Sequence, residues 1–166
     1  SNPTVQYLEK RIQHFTDAIS VSALNTGMAA ISNVMTTIAA NGTNIIISSH
    51  LFGNTYSLLT HTLGALGVEI RTADLIHTDS MESLIDEHTC AIFLEIITNP
   101  QMEVADLEAL SKIAHKHHVP LIADTTIVPF TTFHAKDFGV DVEVLSSTKY
   151  ISGGATGLGG IIIDYG

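Results

Sequence analysis

Apolar, β-branched runs recur along the chain at residues 19–24, 44–48, 68–72, 91–96, 119–123, 142–145 and 160–163. Helix-period patterns occupy 5–16, 28–40, 56–66, 80–87 and 107–117, mostly in the intervals between those runs. Strands that are apolar on both faces must be covered on both faces, and helices placed between successive strands supply the cover. The pattern predicts an α/β fold: a doubly wound, mostly parallel seven-stranded sheet with helices on both faces. Turn residues fall where the runs end, as at Asn41-Gly42, Asn99-Pro100 and Gly139, and no repeat, linker or low-complexity tract interrupts the series.

Such a sheet says where a ligand would sit. In open α/β sheets, sites lie beyond the carboxyl ends of the strands. Polar residues gather there: Asn25-Thr26-Gly27, Ser48-Ser49-His50, Glu95, Asp124 and Ser146-Ser147-Thr148-Lys149.

Composition narrows the class. The 166 residues suit one domain, with 45% hydrophobic and only 14% charged residues, which excludes a disordered chain. Seventeen acids against seven bases give a formal net charge of −10, arguing against nucleic acid or an anionic membrane as partner. No apolar stretch approaches the roughly 18 residues of a membrane span, and no secretory leader opens the sequence. The single Cys90 excludes an internal disulfide and suits a cytoplasmic setting. A start at Ser1 and an end just past an apolar run are read as marks of a fragment or a processed product.

The strongest local signal is Val142-Glu143-Val144-Leu145-Ser146-Ser147-Thr148-Lys149, followed by Tyr150-Ile151-Ser152-Gly153-Gly154. A lysine at the end of a buried strand is either an imine-forming amine, made nucleophilic by desolvation, or a side chain snorkelling at the sheet rim. Asp124 closes the run 119–123. It could hold a protonated pyridine nitrogen, or it could cap the turn that follows. Thr26-Gly27-Met28 stands at a strand-to-helix junction, whose free amides and positive helix end favour an anion, with Ser146 and Thr148 as added hydroxyl donors.

Other candidates are weaker. The glycine-rich stretch 154–160 leads into a strand and lacks the Gly-Lys-Ser/Thr of a phosphate loop, so a plain nucleotide-binding domain is disfavoured. No Gly-x-Ser-x-Gly elbow is present. His115, His117 and His118 crowd a helix end, where contacts with the helix dipole are favoured over a metal site. Cys90 reads as core or near-core.

In sequence the chain resembles the pyridoxal 5'-phosphate (PLP) domain of the Cys/Met-metabolism enzymes of fold type I. The likeness runs in order through Ser1-Asn2-Pro3-Thr4, Thr26-Gly27-Met28-Ala29-Ala30, Phe52-Gly53-Asn54-Thr55, Glu95 to Asn99-Pro100, Asp124 to Thr126, and Ser146 to Tyr150. The resemblance implies that Lys149 is catalytic and covalently holds PLP. It implies that Asp124 keeps the ring nitrogen protonated. Gly27 and Met28 amides would bind the phosphate with the Ser146 and Thr148 hydroxyls. Phe52 would stack on the ring, Thr126 would touch its other face, Asn99 would lie near the ring oxygen, and Glu95 would occupy a family site position. No metal site is implied.

Within the family, the stretch 153–160 followed by Ile163-Asp164 is most similar to O-acetylhomoserine sulfhydrylases. That implies γ-replacement of a small amino-acid substrate, O-acetylhomoserine, by sulfide to give homocysteine. Alternatives are a cystathionine or methionine γ-lyase, a cystathionine γ-synthase, or a non-catalytic PLP-binding domain. On this reading, residues 1–166 are a central PLP-binding domain without the family's N-terminal arm and C-terminal domain. The whole protein would be a homodimer or homotetramer, and the piece alone would be inactive. Three departures bear on the reaction more than on the cofactor: Phe52 stands for the usual tyrosine, Thr125 for the usual asparagine, and the loop to Pro129 is one residue short.

Overall fold

A computed structural model describes residues 2–74 and 78–166. Ser1, which opens the first resemblance motif, lies outside the described residues. The elements follow the predicted order: α1 (Pro3–Thr16), β1 (Ser20–Leu24), α2 (Gly27–Ile38), β2 (Asn44–Ser48), α3 (Gly53–Ser57), β3 (Glu69–Ala73), β4 (Thr89–Glu95), α4 (Leu107–Lys116), β5 (Leu121–Asp124), β6 (Val142–Ser146) and β7 (Gly160–Asp164). The strands form one seven-stranded sheet in the order β1-β7-β6-β5-β4-β2-β3. Pairing is parallel from β3 through β6, while β7 runs antiparallel to both β6 and β1. The predicted fold class is observed.

Alternate residues of the central strands feed two cores. On one face Ile46, Ile92, Leu94 and Leu121 pack with Leu107, Leu110 and Ala114 of α4. On the other, Ile45, Ile47, Phe93, Ile122 and Val144 pack with Ile31, Val34 and Met35 of α2 and with Leu59 and Leu63. That two-sided burial is why the strands read as unbroken apolar runs.

Helix ends obey their capping residues. Asn2 caps α1 by accepting from the Thr4 amide at 2.9 Å, with Pro3 at the first helical position. Asp106 caps α4 through the Ala109 amide at 3.0 Å. Thr26 caps α2, its Oγ1 accepting from the Ala29 amide at 3.0 Å.

Two helical expectations are corrected. The stretch 56–66 is not one α-helix: α3 ends at Ser57 and the chain continues in wider π-helical turns over Leu58–Leu63, which bury Leu59 and Leu63. The stretch 80–87 forms only single 3₁₀ turns, at Thr78–Ser80 and Glu82–Leu84. Arg71 accounts for part of this: its Nη1 donates to the Leu84 carbonyl at 2.8 Å and pairs with Asp86 at 2.7 Å. Asp86 Oδ1 in turn accepts from the His88 amide and from Asn44, which turns the chain into β4. A segment this short cannot offset the cost of helix nucleation against those bonds.

The histidine-rich end of α4 hydrogen-bonds to carboxylates: His115 Nε2 lies 3.0 Å from Asp141 and His117 Nε2 lies 2.8 Å from Glu82. Cys90 is half-buried, its Sγ reaching the Asn44 carbonyl at 3.3 Å, and burial pushes its thiol up.

Candidate active site

The carboxyl ends of β1, β4, β5 and β6 open onto one cavity of about 380 Å³, within the range of small-molecule sites. Every site residue expected from the sequence lines it: Gly27, Met28, Phe52, Glu95, Asn99, Asp124, Thr126, Ser146, Thr148 and Lys149. Thr26, Ile31, Asn54, Thr55, Ile97, Ile127 and Leu158 complete the wall.

One end of the cavity is an anion cradle. The amides of Gly27 and Met28 stand in the first turn of α2, where no intrahelical carbonyl serves them. Helix and sheet approach so closely here that a Cβ on Gly27 would lie 2.7 Å from Ser146 Cβ and 2.9 Å from Ser146 Cα. Glycine is required by that approach, and the approach is what brings the Ser146 hydroxyl beside the two amides. Thr148 differs from expectation. Its Oγ1 donates to the Gly159 carbonyl at 3.3 Å and accepts the Gly159 amide at 3.1 Å, tying the turn before Lys149 to the start of β7.

The other end is acidic. Asp124 Oδ1 accepts from the Thr126 amide at 2.9 Å and the Thr126 hydroxyl at 2.6 Å, so the turn-capping reading is realised with one oxygen. Oδ2 has no protein donor among the described residues and is available to the cavity. Thr126 Oγ1 also accepts from the Ser146 amide at 2.9 Å, pinning the ends of β5 and β6 together. Burial raises the Asp124 carboxyl above the ordinary aspartate value, against the two Thr126 bonds.

Glu95 shows a role that the sequence did not reveal. Its Oε1 accepts from the Phe52 amide at 2.6 Å and its Oε2 from the Asn99 amide at 3.3 Å, so one carboxyl fixes both loops that carry expected site residues. Burial raises it too, with the field of Asp124 adding to the effect. Beside it, His50 meets Glu103 at 2.6 Å, linking the same two loops from outside.

Lys149 stands on the open side of the cavity, exposed and with no ion pair among the described residues. Of the two readings left open by the sequence, the exposure of Lys149 matches the one at the sheet rim, while its place in the lining keeps the amine at the cavity. A second, more open hollow continues outward from it along Asn99, Met102, Tyr150 and Gly153.

The family model for the Cys/Met metabolism PLP-dependent enzymes matches residues 1–166, and the chain belongs to that family. The O-acetyl-L-homoserine sulfhydrylase of Corynebacterium glutamicum is 36% identical over 167 residues, covering 100% of this chain and 38% of that protein. A solved O-acetylhomoserine sulfhydrylase of Wolinella succinogenes superposes with a TM-score of 0.92 at 48% identity, covering 99% of this chain and 47% of the other. A Campylobacter jejuni structure described as an O-acetylhomoserine (thiol)-lyase gives a TM-score of 0.95 at 37% identity, over 100% of this chain and 41% of its own. That structure contains a pyridoxyl-lysine monophosphate. The chain thus spans less than half the length of each of these relatives.

The residues present fit PLP. A phosphate needs amide and hydroxyl donors, which the α2 terminus and Ser146 offer; a pyridinium needs an anionic acceptor, which Asp124 Oδ2 offers; the aldehyde carbon needs a primary amine, which Lys149 offers.

Proposed function

We propose that this chain is the central domain of a PLP-dependent enzyme that replaces the acetate of O-acetylhomoserine with sulfide, giving homocysteine. The observation that carries the reading is the convergence on one cavity of an anion cradle with an aspartate oxygen and a lysine that have no donor and no ion pair among the described residues. PLP, when bound, supplies a sink for the electron pairs left at Cα and Cβ. The chain's own residues do the rest. Gly27 and Met28 amides and the Ser146 hydroxyl bind the phosphate, with Thr148 holding the turn beneath it. With PLP bound, Asp124 would keep a proton on the ring nitrogen, Phe52 and Thr126 would hold the ring, and Asn99 would serve its oxygen. Glu95 orients Phe52 and Asn99 through their amides. Lys149 anchors the cofactor and moves protons at Cα and Cβ, after which acetate leaves Cγ and sulfide takes its place.

Leu8, Tyr150 and Leu158 are large, exposed apolar residues, with Leu158 at 81% exposure. They support a homodimer or homotetramer in which other parts of the protein cover this surface. The half-buried lone thiol suits a cytoplasmic enzyme.

Phe52 favours γ-replacement over γ-elimination from thioethers. It has no phenol to protonate a leaving group, and general acid assistance is worth about 10²–10⁴-fold. Acetate departs with little such help; a thiolate needs more. Purified full-length protein should therefore turn over O-acetylhomoserine plus sulfide at a higher kcat/KM than methionine or cystathionine. A higher kcat/KM for either thioether would make the protein a lyase instead.

A further inference from the structure

Glu143 is a glutamate in the middle of a strand covered on both faces, with 0% of its surface exposed, as is Thr125. In the β5–β6 ladder Glu143 pairs with Ala123 and Val144 pairs with Asp124. Glu143 therefore points to the face of the sheet opposite Asp124. Both of its oxygens are occupied by hydroxyl donors: Thr125 to Oε1 and Tyr165 to Oε2, the latter at 2.7 Å. Two hydroxyls donating inward suit a carboxylate, because a protonated acid would need one of them to turn and accept. Thr125 follows Asp124 directly, and its amide donates to the Val144 carbonyl at 3.0 Å. The threonine that departs from the family's usual asparagine is thus the residue that engages Glu143.

We propose that Glu143, clasped by Thr125 and Tyr165 on the far face of the sheet, is a positioning residue of the cofactor site. It holds the end of β5 through Thr125 and adds a second buried negative charge, which acts with Asp124 to retain the proton on the cofactor. This rests on the PLP reading above. Burial raises the Glu143 carboxyl, and the field of Asp124, one position along the ladder and on the opposite face, raises it further. His134, ahead of the 3₁₀ turn Ala135–Phe138, acts on Glu143 in the opposite, lowering direction. Tyr165 in turn faces the field of Asp137, and the Lys136 ammonium lies 5.9 Å from its ring centre.

The test uses full-length protein as wild type, Glu143→Gln and Tyr165→Phe. Glutamine keeps the volume and still accepts from Tyr165, while the phenylalanine variant keeps the acid but removes one donor to its charged form. In PLP-loaded protein, the pH midpoint of the cofactor's visible absorption should fall by about half a unit to one unit in Glu143→Gln. It should fall by less in Tyr165→Phe. In cofactor-free protein, the infrared carbonyl band of Asp124, identified by its loss in Asp124→Asn, should likewise titrate at lower pH once Glu143 is neutral. If neither the absorption nor the Asp124 midpoint moves in either variant, Glu143 is a packing residue and the proposal is overturned. If the Asp124 midpoint falls but wild-type protein takes up no PLP, the coupling stands and the cofactor reading fails.

Discussion

Adding one methyl group at Gly27 tests whether the α2 terminus is the phosphate site. The Cβ of Gly27→Ala would sit 2.7 Å from Ser146 Cβ and 2.9 Å from backbone Cα. Carbon atoms settle at about 3.5–4.0 Å, so helix and strand must part by roughly 1 Å. Backbone cannot yield as a long side chain would, and overpacking of this kind costs about 1–3 kcal/mol of stability. The retreat also draws the Gly27 and Met28 amides away from any phosphate held against Ser146. Charge-assisted hydrogen bonds contribute about 1.5–3 kcal/mol each, so losing two weakens binding by roughly 10²–10⁴-fold. The assay is equilibrium titration of full-length protein with PLP and, in parallel, with pyridoxal, which lacks the phosphate. Affinity for PLP should collapse toward that for pyridoxal, while pyridoxal binding changes little. Gly64→Ala is the control: nothing lies within 4 Å of its added Cβ, so binding should be unaffected. Unchanged PLP affinity in Gly27→Ala would remove the cradle from cofactor binding.

Lys149→Ala in the full-length protein should abolish turnover while leaving far-ultraviolet circular dichroism and melting temperature near wild type, because the side chain is exposed and unpaired; product formation at the wild-type rate would exclude it from the mechanism. Asp124→Asn should lower kcat by at least about 10²-fold through loss of the ring-nitrogen partner. The same change should stabilise the cofactor-free protein at alkaline pH. A carboxyl raised by burial binds its proton more tightly in the folded state, so folded stability falls as pH rises through that raised value. Asparagine removes this loss: Tm should rise by about 2–4 °C near pH 8, and the difference should disappear in acid, where the native aspartate is protonated in both states. A Tm difference independent of pH would show that Asp124 is not desolvated.

The central strands β2, β4, β5 and β6 were legible because they are buried on both faces, which leaves an unbroken apolar signature; the edge strands β1 and β3, partly exposed, carry a weaker one. The strand-end polar residues were legible because the architecture assigns ligands to that edge. Other features depend on partners distant in sequence. Arg71 and Asn44 hold Asp86 and break the helical reading of 80–87. Glu95 clamps Phe52 across 43 positions, and Thr148 spends its hydroxyl on Gly159. Glu143 did leave a signal, an acid inside the apolar run 142–145, but its meaning required Tyr165 at the far end of the chain. The reversed direction of β7 was hidden for a related reason: an apolar run has no polarity of its own.

The sheet order also sets a sequence of events at the ribosome. β1, made before every other strand of this sheet, hydrogen-bonds among the described residues only to β7, at residues Gly160–Asp164. Its carboxyl end leads directly into Thr26 and the amides of Gly27 and Met28. Until β7 leaves the exit tunnel, the nascent chain can pair β2 through β6 but cannot seat β1 beside them. The α2 end of the cavity is therefore assembled after its acidic end, although it is encoded first. A nascent chain released before β7 emerges would display Asp124 and Lys149 without β1 seated to lead into the α2 amides.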